Sequence, residues 1–426
     1  METEKDINLE CDLAFLKPGT TNWQALTDGT LLFLKEPKLE ATRELDSDEK
    51  NQVKKNKQHL NDILLKSLQL PNLSFFAGSG TSLGEVGGPS MWDLWEKAML
   101  EVNFIDDAIG NKRITKDAQE VLDLVKYSEM QNPNIEHFLS KCDAYLSFNE
   151  DDQIVSAFLN KVKKIILDEC SSFLSSQTND ISAYQSLLQK LARRRVRDPR
   201  LKVFTTNYDM CFETAASNLG MMVVDGFSYT RTRRFDGSYF NYDVVRRESE
   251  DHEFIEGVMH LYKLHGSVSW ERKGNDIIES SSPEPDKAVL IYPAKGKYQQ
   301  AFVQPHLELL SRFLESLRKP NTCLILAGFG FNDDHLSEPI ISAIKSNPSL
   351  KLIIADFKAY ENITSPSSKV SPYWTELSQL AQQGYDIHFI NGSFNKFVSL
   401  IPHLRSLTPA EQLAKAVKQQ VNNYGS

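Results

Sequence analysis

The chain has 426 residues, of which 41% are hydrophobic and 25% are charged, proportions typical of ordinary soluble globular proteins that exclude a chain disordered along its length. This length allows one large domain or two of ordinary size. The formal net charge of −9 gives no global sign of nucleic-acid binding, although it does not exclude a local basic patch. Five widely separated cysteines match neither a disulfide framework nor a zinc site: Cys11, Cys142, Cys170, Cys211 and Cys323.

The first residues, from Met1 to Asp6, are acidic and lack the apolar core of a secretory signal. No apolar run approaches the about 20 residues that a membrane helix needs. We therefore expect a cytoplasmic protein with no membrane contact.

Residues 1–69 precede the first strand that the pattern predicts for the core, and we interpret them as an N-terminal appendage. The run from Leu31 to Leu34 fits either a strand or a helix turn. Apolar residues then recur at helical spacing from Leu60 to Leu68, which predicts a helix leading into the body. The appendage is a candidate for packing on the body or for contacts between subunits.

An apolar run from Leu73 to Ala77 ends in the small-residue loop Gly78-Ser79-Gly80-Thr81-Ser82, and a helical pattern follows Gly88-Pro89. A strand, a Gly-rich turn and a helix together are typical of phosphate sites in open α/β sheets. The glycines at 78, 80 and 84 are one residue off the dinucleotide fingerprint. A tight turn with no ligand explains the loop, taken alone, equally well.

Apolar residues at helical spacing from about 105 to 196 predict a helical insertion or cap beside the sheet. This stretch ends in the basic run Arg193–Arg200. We interpret that run as the solvated C-terminus of a helix, and contact with nucleic acid or an acidic partner is the less favoured alternative.

Short apolar runs alternate with helical patterns through the rest of the chain, which predicts an α/β fold with a parallel sheet flanked by helices. A main domain over 70–404 is followed by Thr408-Pro409, a capping pattern that predicts a C-terminal helix within 405–426. The expected strands after the insertion lie at 202–205, 221–224, 258–264, 289–292, 323–327, 352–355 and 387–390.

Ligands bind outside the carboxyl ends of the strands in such sheets, and five predicted strands end there in glycine or polar residues. Their convergence on one crevice would favour a nucleotide-sized ligand. His265 stands out because it ends a strand and precedes Gly266, which would let a ligand approach closely; an ordinary strand-end histidine is the alternative. We expect His335 to be a cap or a surface residue. The five strand ends are Gly78-Ser79-Gly80, Asn207 with Asp209, His265-Gly266, Gly328 to Asp333, and Asp356.

The order of these motifs resembles the sirtuin-like NAD-binding domain over roughly residues 70–400, with its Rossmann-like sheet. That family has a Gly-Ala-Gly-x-Ser loop, a Gly-x-Pro, an Asn-x-Asp strand tip and a catalytic His-Gly. The tip from Gly328 to Asp333 looks like the Gly-rich tip of bacterial sirtuin-like defence proteins. This chain departs from the deacylases: Ser79 replaces the alanine, and no Asp-Phe-Arg follows Pro89. The four zinc cysteines that deacylases carry after the His-Gly are absent, and Cys323 is the only cysteine beyond His265.

The resemblance implies an NAD+ glycohydrolase in which NAD+ is a substrate and no metal is required. Asn207 would position the ribose or the attacking water, and His265, with an ordinary pKa of about 6.5, would act as a base. The loop from Gly78 to Ser82 would hold the diphosphate, Asp209 would orient the ribose or nicotinamide, and Asp356 would bind the adenosine ribose. The other implied binding residues are Pro89, Thr206, Gly328, Phe329 and Asn332.

An unregulated NAD+ hydrolase would drain its host, so we expect gating by homo-oligomerisation or by a partner. The resemblance suggests a HerA-type hexameric ATPase and a role in antiphage defence by abortive infection. Two other interpretations stay open. One is an NAD or ADP-ribose sensor without turnover, and the other is an NAD-dependent protein deacylase or ADP-ribosyltransferase.

Overall fold

A computed structural model describes residues 13–35, 44–105, 112–130, 133–176, 179–194, 198–248, 251–291, 304–367 and 370–404. The strands are β1 (Ala14–Leu16), β2 (Gln24–Ala25), β3 (Asn72–Ala77), β4 (Leu100–Ile105), β5 (Lys112–Ile114), β6 (Leu201–Thr205), β7 (Met222–Val224), β8 (Val245–Glu248), β9 (Asp251–Phe254), β10 (Val258–Lys263), β11 (Gly266–Lys273), β12 (Asp276–Glu279), β13 (Ala288–Leu290), β14 (Thr322–Ala327), β15 (Leu350–Asp356) and β16 (Ile387–Asn391).

The α-helices are α1 (Asp28–Lys35), α2 (Ser47–Leu68), α3 (Met91–Met99), α4 (Lys116–Leu124), α5 (Ile135–Leu146), α6 (Gln153–Ser172), α7 (Ser182–Leu191), α8 (Cys211–Asn218), α9 (His306–Arg318), α10 (Asp334–Ser346), α11 (Ala359–Thr364), α12 (Tyr373–Gln382) and α13 (Phe394–Leu400). Short 3₁₀ helices lie at Ser79–Thr81, Gly84–Val86, Phe173–Ser175 and Gly237–Asn241.

The main sheet has the order β2-β1-β16-β15-β14-β3-β6-β10-β7 within the described ranges. The seven strands from β16 to β7 are parallel to one another. Strand β3 lies at the point where the chain changes direction across the sheet, with β6 on one side and β14 on the other. This confirms the predicted α/β fold, and such a switch point is where ligands bind in open sheets.

Both faces of the main sheet are covered because its central strands are apolar throughout. On β3, Phe75 faces a core formed by α2, α7, α8 and α13, whereas Phe76 faces α9, α10 and α12. Both rings are fully buried, and burial of such a side chain contributes about 1.5–3 kcal/mol. The continuous apolar pattern of β3 therefore reflects a strand covered on both faces.

Helices α3 to α6 form a separate core beside the sheet, around Trp95, Phe138 and Phe158. The insertion expected between the first two core strands is thus helical over most of its described length. It also contains the antiparallel pair β4 and β5. Its helices approach the carboxyl edge of the main sheet, where they form one wall of the site.

The N-terminal region contributes to the main sheet, so the prediction that no core strand precedes residue 70 is wrong. Strand β1 pairs antiparallel with β16, with Phe15 opposite Ile390, and β2 pairs with β1. Strands of three and two residues are too short to show a periodic pattern. The ambiguous run from Leu31 to Leu34 lies in α1.

The predicted strand at 289–292 also differs, because β13 lies outside the main sheet. It pairs antiparallel with β11, which also pairs with β12 in a separate sheet. Its apolar composition predicted a strand but did not indicate which sheet it joins. The predicted helix within 405–426 lies outside the described residues, and within them no helix is long and apolar enough to cross a membrane.

Candidate functional site

A cleft with a cavity volume of about 160 Å³ opens at the carboxyl ends of β3, β6, β10 and β14. Four neighbouring strands supply one wall, and the helical insertion supplies the other. The cleft brings together ten of the sequence-predicted site residues: Ser79, Ser82, Pro89, Thr206, Asn207, Asp209, His265, Gly328, Phe329 and Asn332.

Asn207 is held rigidly at the end of β6. Its Nδ2 donates to Thr81 Oγ1 at 3.1 Å and to Ser82 Oγ at 2.8 Å. Its Oδ1 is buried and has no hydrogen-bond partner among the described residues. A buried acceptor without a donor costs about 1–3 kcal/mol, so this atom is available to a ligand or a water molecule.

Asp209 supports this arrangement and has both carboxylate oxygens engaged. Oδ2 accepts from Ser82 Oγ at 2.6 Å, and Oδ1 accepts from the backbone N–H of Cys211 at 3.0 Å. Tyr184 OH lies between Thr81 Oγ1 at 2.9 Å and Ser82 Oγ at 3.1 Å. Thr81 is fully buried behind the cleft, so its role in this structure is to orient Asn207.

The glycines of the loop after β3 serve a contact between two loops. A Cβ atom on Gly78 would lie 2.4 Å from the carbonyl oxygen of Gly328, and a Cβ atom on Gly80 would lie 2.8 Å from the Cα atom of Gly328. The Gly80 N–H donates to that same carbonyl at 3.0 Å. The absent side chains therefore let the loops after β3 and β14 touch, in addition to any ligand they admit.

Most backbone N–H groups of this loop are already used, contrary to the expectation that they are free for an anion. Gly78 and Gly80 donate to carbonyls of the β14 loop region, and Thr81 and Ser82 donate within the 3₁₀ turn. Only the N–H of Ser79, within the loop, donates to no described backbone carbonyl. A phosphate at this place would bind Ser79 and hydroxyl groups rather than a ring of free amides.

His265 lies beneath the cleft and is 2% exposed. Its Nε2 is 3.1 Å from Nε2 of His335, so one ring donates the single shared proton and the other accepts it. Burial, with smaller effects of His335 and His306, lowers the pKa of His265 well below its usual value. His265 is therefore neutral at pH 7, and the expected pKa of about 6.5 is wrong because the ring is removed from water.

His335 was expected to be a cap or surface residue, but it pairs with His265. It lies in the first turn of α10 and is half-buried. Burial lowers the pKa of His335 to about 4. His306, whose Nδ1 donates to the carbonyl of Leu264 at 3.0 Å, has a pKa that burial lowers to about 4. No sequence signal joined these residues, since 70 positions separate the paired rings.

The local backbone structure requires a glycine at position 266. Its φ is +92°, and a Cβ atom there would lie 2.0 Å from the carbonyl oxygen of Val289. The glycine therefore lets β13 pass close to β11 beside His265. Close approach of a ligand, the reason expected from the sequence, is not needed to explain it.

The insertion contributes cleft residues that sequence reasoning missed. Glu136, in the first turn of α5, is such a residue, and it lines the cleft together with Asp333, which ends the predicted tip Gly328 to Asp333 just before α10. Burial and the charge of Asp333 raise the pKa of Glu136 well above its usual value, and burial with Asp334 raises that of Asp333. The other missed residues are Met91, Leu94, Asn134, Cys170, Phe173, Tyr208 and Gly330.

Asp356 lies apart from Asn207 and His265, in a second cavity of about 400 Å³. Gly80 and Gly328 line this cavity too, and Gly328 lines both. Burial raises the pKa of Asp356 to about 6. The two cavities therefore meet at the contact between the loops after β3 and β14. The other residues of the second cavity are Leu83, Gly84, Glu85, Ala355, Phe357, Gly392, Ser393, Phe394, Asn395 and Lys396.

The basic run is not uniformly solvated as expected. Arg194 is 5% exposed, and its guanidinium donates to the carbonyls of Leu68, Leu70 and Pro71, at the C-terminus of α2. Arg200 pairs with Asp243 at 2.8 Å. These two side chains stabilise the fold rather than present charge to a partner. Among the described residues, no group of three or more His, Cys, Asp or Glu side chains is placed to hold a metal ion.

Known proteins similar to this chain include solved Sir2 structures and a SIR2-like family model. No curated protein matches the sequence. The chain is similar to a structure from work on the structural basis for the mechanism and regulation of Sir2 enzymes, with 12% identity, 80% of this chain and 94% of that chain covered, and a TM-score of 0.38. A mutant Sir2 homologue in complex with 2′-O-acetyl ADP ribose is similar at 12% identity, with coverage of 82% and 98% and a TM-score of 0.39. Residues 201–371, which contain both Asn207 and His265, match the family model described as SIR2-like domain.

Proposed function

We propose that this protein hydrolyses NAD+ to nicotinamide and ADP-ribose. The observation that carries the proposal is the unpartnered Oδ1 of Asn207 in the cleft that His265 also lines. A fixed acceptor and a neutral imidazole at one sheet edge are suited to orient and deprotonate a water or a ribose hydroxyl. The match of residues 201–371 to a SIR2-like domain supports NAD+ as the nucleotide.

The reaction breaks the bond between nicotinamide and ribose through an oxocarbenium-like transition state, as in other glycoside hydrolysis. Nicotinamide leaves as a neutral molecule, and water adds its oxygen to the ribose carbon. Asn207 Oδ1 accepts a hydrogen bond from that water or from a ribose hydroxyl. The water's proton passes to the His265–His335 pair and then to solvent.

The lowered pKa of His265 affects this step in two opposite ways. It keeps the imidazole unprotonated, and so able to accept a proton, throughout the neutral range. It also makes the ring a weaker base. A cationic transition state tolerates a weak base because the electrophilic carbon already attracts the water oxygen.

The two cavities suggest how the dinucleotide lies. We place the nicotinamide ribose in the cleft and the diphosphate near the N–H of Ser79, where the loops after β3 and β14 meet. The adenosine then occupies the second cavity, in which Asp356 accepts from ribose hydroxyls and the half-exposed Phe357 offers a surface for the base. Gly328 borders both parts of this path.

We further propose that the activity is gated, by homo-oligomerisation or by a HerA-type hexameric ATPase, and serves cytoplasmic antiphage defence by depleting NAD+. The tip from Gly328 to Asp333 supports this, because it looks like the Gly-rich tip of bacterial sirtuin-like defence proteins. The absence of the four deacylase cysteines after His265 disfavours protein deacylation.

The test is to incubate the full chain with NAD+, alone and with a candidate ATPase, and to quantify nicotinamide and ADP-ribose by chromatography. We expect Asn207→Ala to reduce turnover by about 10²-fold or more, since misplaced reactants cost that much. His265→Ala should lose roughly 10²–10⁴-fold, the usual contribution of a general base.

His59→Ala is the matched control, because His59 is exposed on α2 and does not line the cleft. It should turn over NAD+ at the wild-type rate. Equal product formation by wild type and Asn207→Ala would contradict the proposal. Saturable binding with NAD+ left intact would support a sensor instead, and dependence on an acetylated peptide would support a deacylase.

A further inference from the structure

Two carboxylates face the cleft and have no assigned role in the proposed hydrolysis. Glu136 reaches it from α5 of the insertion, and Asp333 reaches it from the loop between β14 and α10. Neither carboxylate accepts a hydrogen bond from a described residue, and Asp333 does not cap the helix that it precedes. They therefore form an acidic pair across the cleft, from two elements that are distant in sequence.

The charge of the cleft is unbalanced in the part of the chain that the structure describes. Its lining contains Glu136, Asp209 and Asp333 but no lysine or arginine. Asp209 is satisfied by Ser82 and by the N–H of Cys211. Glu136 and Asp333 are thus the two lining carboxylates that remain available to a ligand.

Like charges in a partly dehydrated site are unfavourable unless a proton neutralises one of them or a cation joins them. Such a cation must come from the ligand, because no basic residue among the described lining residues supplies it. Asn207 gives an independent indication of a ligand, since the residue is 8% exposed and its Oδ1 lacks a donor. The cleft therefore fits a ligand that carries a positive charge beside a hydrogen-bond donor.

The nicotinamide riboside end of an oxidised dinucleotide has this combination. Its pyridinium nitrogen is positively charged, and the ribose hydroxyls lie next to it. The reduced form keeps the hydroxyls but has a neutral dihydropyridine ring. We propose that Glu136 and Asp333 recognise the pyridinium charge and so make the cleft selective for the oxidised over the reduced dinucleotide. This inference rests on the proposed function, because it assumes that the nicotinamide end binds in the cleft.

Proton binding provides a second signature of the same pair. Burial raises the pKa of both carboxyls, with a smaller contribution from Asp333 at Glu136 and from Asp334 at Asp333, so the empty pair holds a proton up to higher pH than isolated carboxyls. A pyridinium between them favours the charged forms, lowers these pKa values and releases the proton; a neutral ring does not. The other titratable groups that face or adjoin the pair are Asp209, His265, Asp334, His335, Cys170 and Tyr208.

The experiment is isothermal titration calorimetry at pH 7 in phosphate and in Tris, buffers that differ in ionisation enthalpy. Three ligands are used: a carbocyclic NAD+ analogue, which keeps the pyridinium but resists glycosidic cleavage, NADH, and ADP-ribose. We expect the wild type to bind the analogue about tenfold or more tightly than NADH, which corresponds to about 1.4 kcal/mol. Only the analogue should release a proton on binding.

The Glu136→Gln/Asp333→Asn double variant should bind the analogue and NADH within about twofold of each other, without proton release. Its affinity for ADP-ribose, which lacks the ring, should stay at the wild-type value, which also shows that the variant is folded. Glu120→Gln/Asp123→Asn, which also removes two negative charges but on the exposed side of α4, should keep both the preference and the proton release.

Several outcomes would overturn the inference. If ADP-ribose binds but the wild type does not distinguish the analogue from NADH, the inference fails and the nucleotide site stands. If no nucleotide binds, the proposed function fails with it. A thermal stabilisation by Mg²⁺ or Mn²⁺ alone that the double variant loses would assign the pair to a metal ion instead.

Discussion

The cleft and the second cavity lie on either side of one contact, that between Gly80 and Gly328. The cleft holds Asn207 and His265, and the insertion adds Glu136 to it. The second cavity has two carboxyls, the half-buried Asp356 and the exposed Glu85, together with Lys396, on walls that are otherwise mainly apolar. The residues that we propose act in the reaction therefore line the cleft, and the residues that we propose bind the rest of the ligand line the second cavity.

This difference follows from where each cavity draws its residues. The second cavity is built from the loops after β3, β14, β15 and β16. These four strands are parallel neighbours in the sheet, so their loops lie at the same edge. The cleft also needs the helical insertion, whose helices α3, α5 and α6 have their own core. A spanning ligand would therefore be bound by the sheet at one end and be enclosed by the insertion at the other.

The largest expected effect on stability comes from the contact that separates the two cavities. Gly328→Ala places a Cβ atom 2.6 Å from the backbone nitrogen of Thr81, at a φ of +60°. Overpacking and left-handed strain together should lower the free energy of unfolding by about 3 kcal/mol. Chemical denaturation measures the change, and NAD+ turnover should fall with it because both cavities share this loop.

Gly84→Ala is the matched control for that substitution. Gly84 has a similar φ of +67°, but nothing lies within 4 Å of the added Cβ atom. It should cost only the backbone strain, about 1–2 kcal/mol. An equal loss in both variants would mean that the contact between the loops contributes nothing.

The next effect is the pH dependence of the free energy of unfolding, to which His265 in the cleft contributes. The folded-state pKa of His265 lies below the unfolded value of 6.5, so the unfolded chain binds the extra proton as pH falls. The contribution of this residue to stability is therefore present above about pH 6.5 and is lost below it, at up to about 1.4 kcal/mol per pH unit. Unfolding free energies of wild type and His265→Gln, measured from pH 7.5 to 5, should show the steeper acid loss in wild type.

The difference between the two proteins is informative because Glu136 and Asp333, whose raised pKa values act in the opposite direction, are present in both. Parallel pH profiles would indicate that His265 is not held in its neutral form. The same comparison should leave the acid dependence due to His260, whose pKa burial lowers to about 4, unchanged.

The smallest effect concerns the second cavity. Asp356→Asn keeps an oxygen for the N–H of Lys358, which donates to Asp356 Oδ1 at 2.8 Å, but removes the charge. We expect KM for NAD+ to rise about tenfold with little change in kcat, since a hydrogen bond to a charged group contributes about 1.5–3 kcal/mol. Steady-state kinetics at pH 7.5, which is above the pKa of about 6 for Asp356, would measure this rise in KM.

Nicotinamide mononucleotide is the control ligand here, because it lacks the adenosine. Its affinity should be the same for wild type and for Asp356→Asn. A loss of kcat in the variant would place Asp356 with the reacting groups and remove the distinction between the two cavities.

Much of the sheet edge could be predicted because its signals are local. Continuous apolar runs indicated β3, β6, β10, β14 and β15, and parallel strands necessarily place their carboxyl ends together. Convergence of Asn207 and His265 follows from that topology. The short strands β1 and β2 and the sheet to which β13 belongs could not be predicted, because pairing between distant segments decides them.

The amino-acid sequence therefore sets the α/β fold and the polar strand ends of this protein, since hydrophobic periodicity and glycine or asparagine at a strand end act within a few residues. Packing between distant segments sets the rest: the neutral state of His265 beside His335, the engaged N–H groups of the Gly78–Ser82 loop, and the position of Glu136 opposite Asp333. These properties arise from burial and from distances between elements far apart in the chain, which no local pattern encodes.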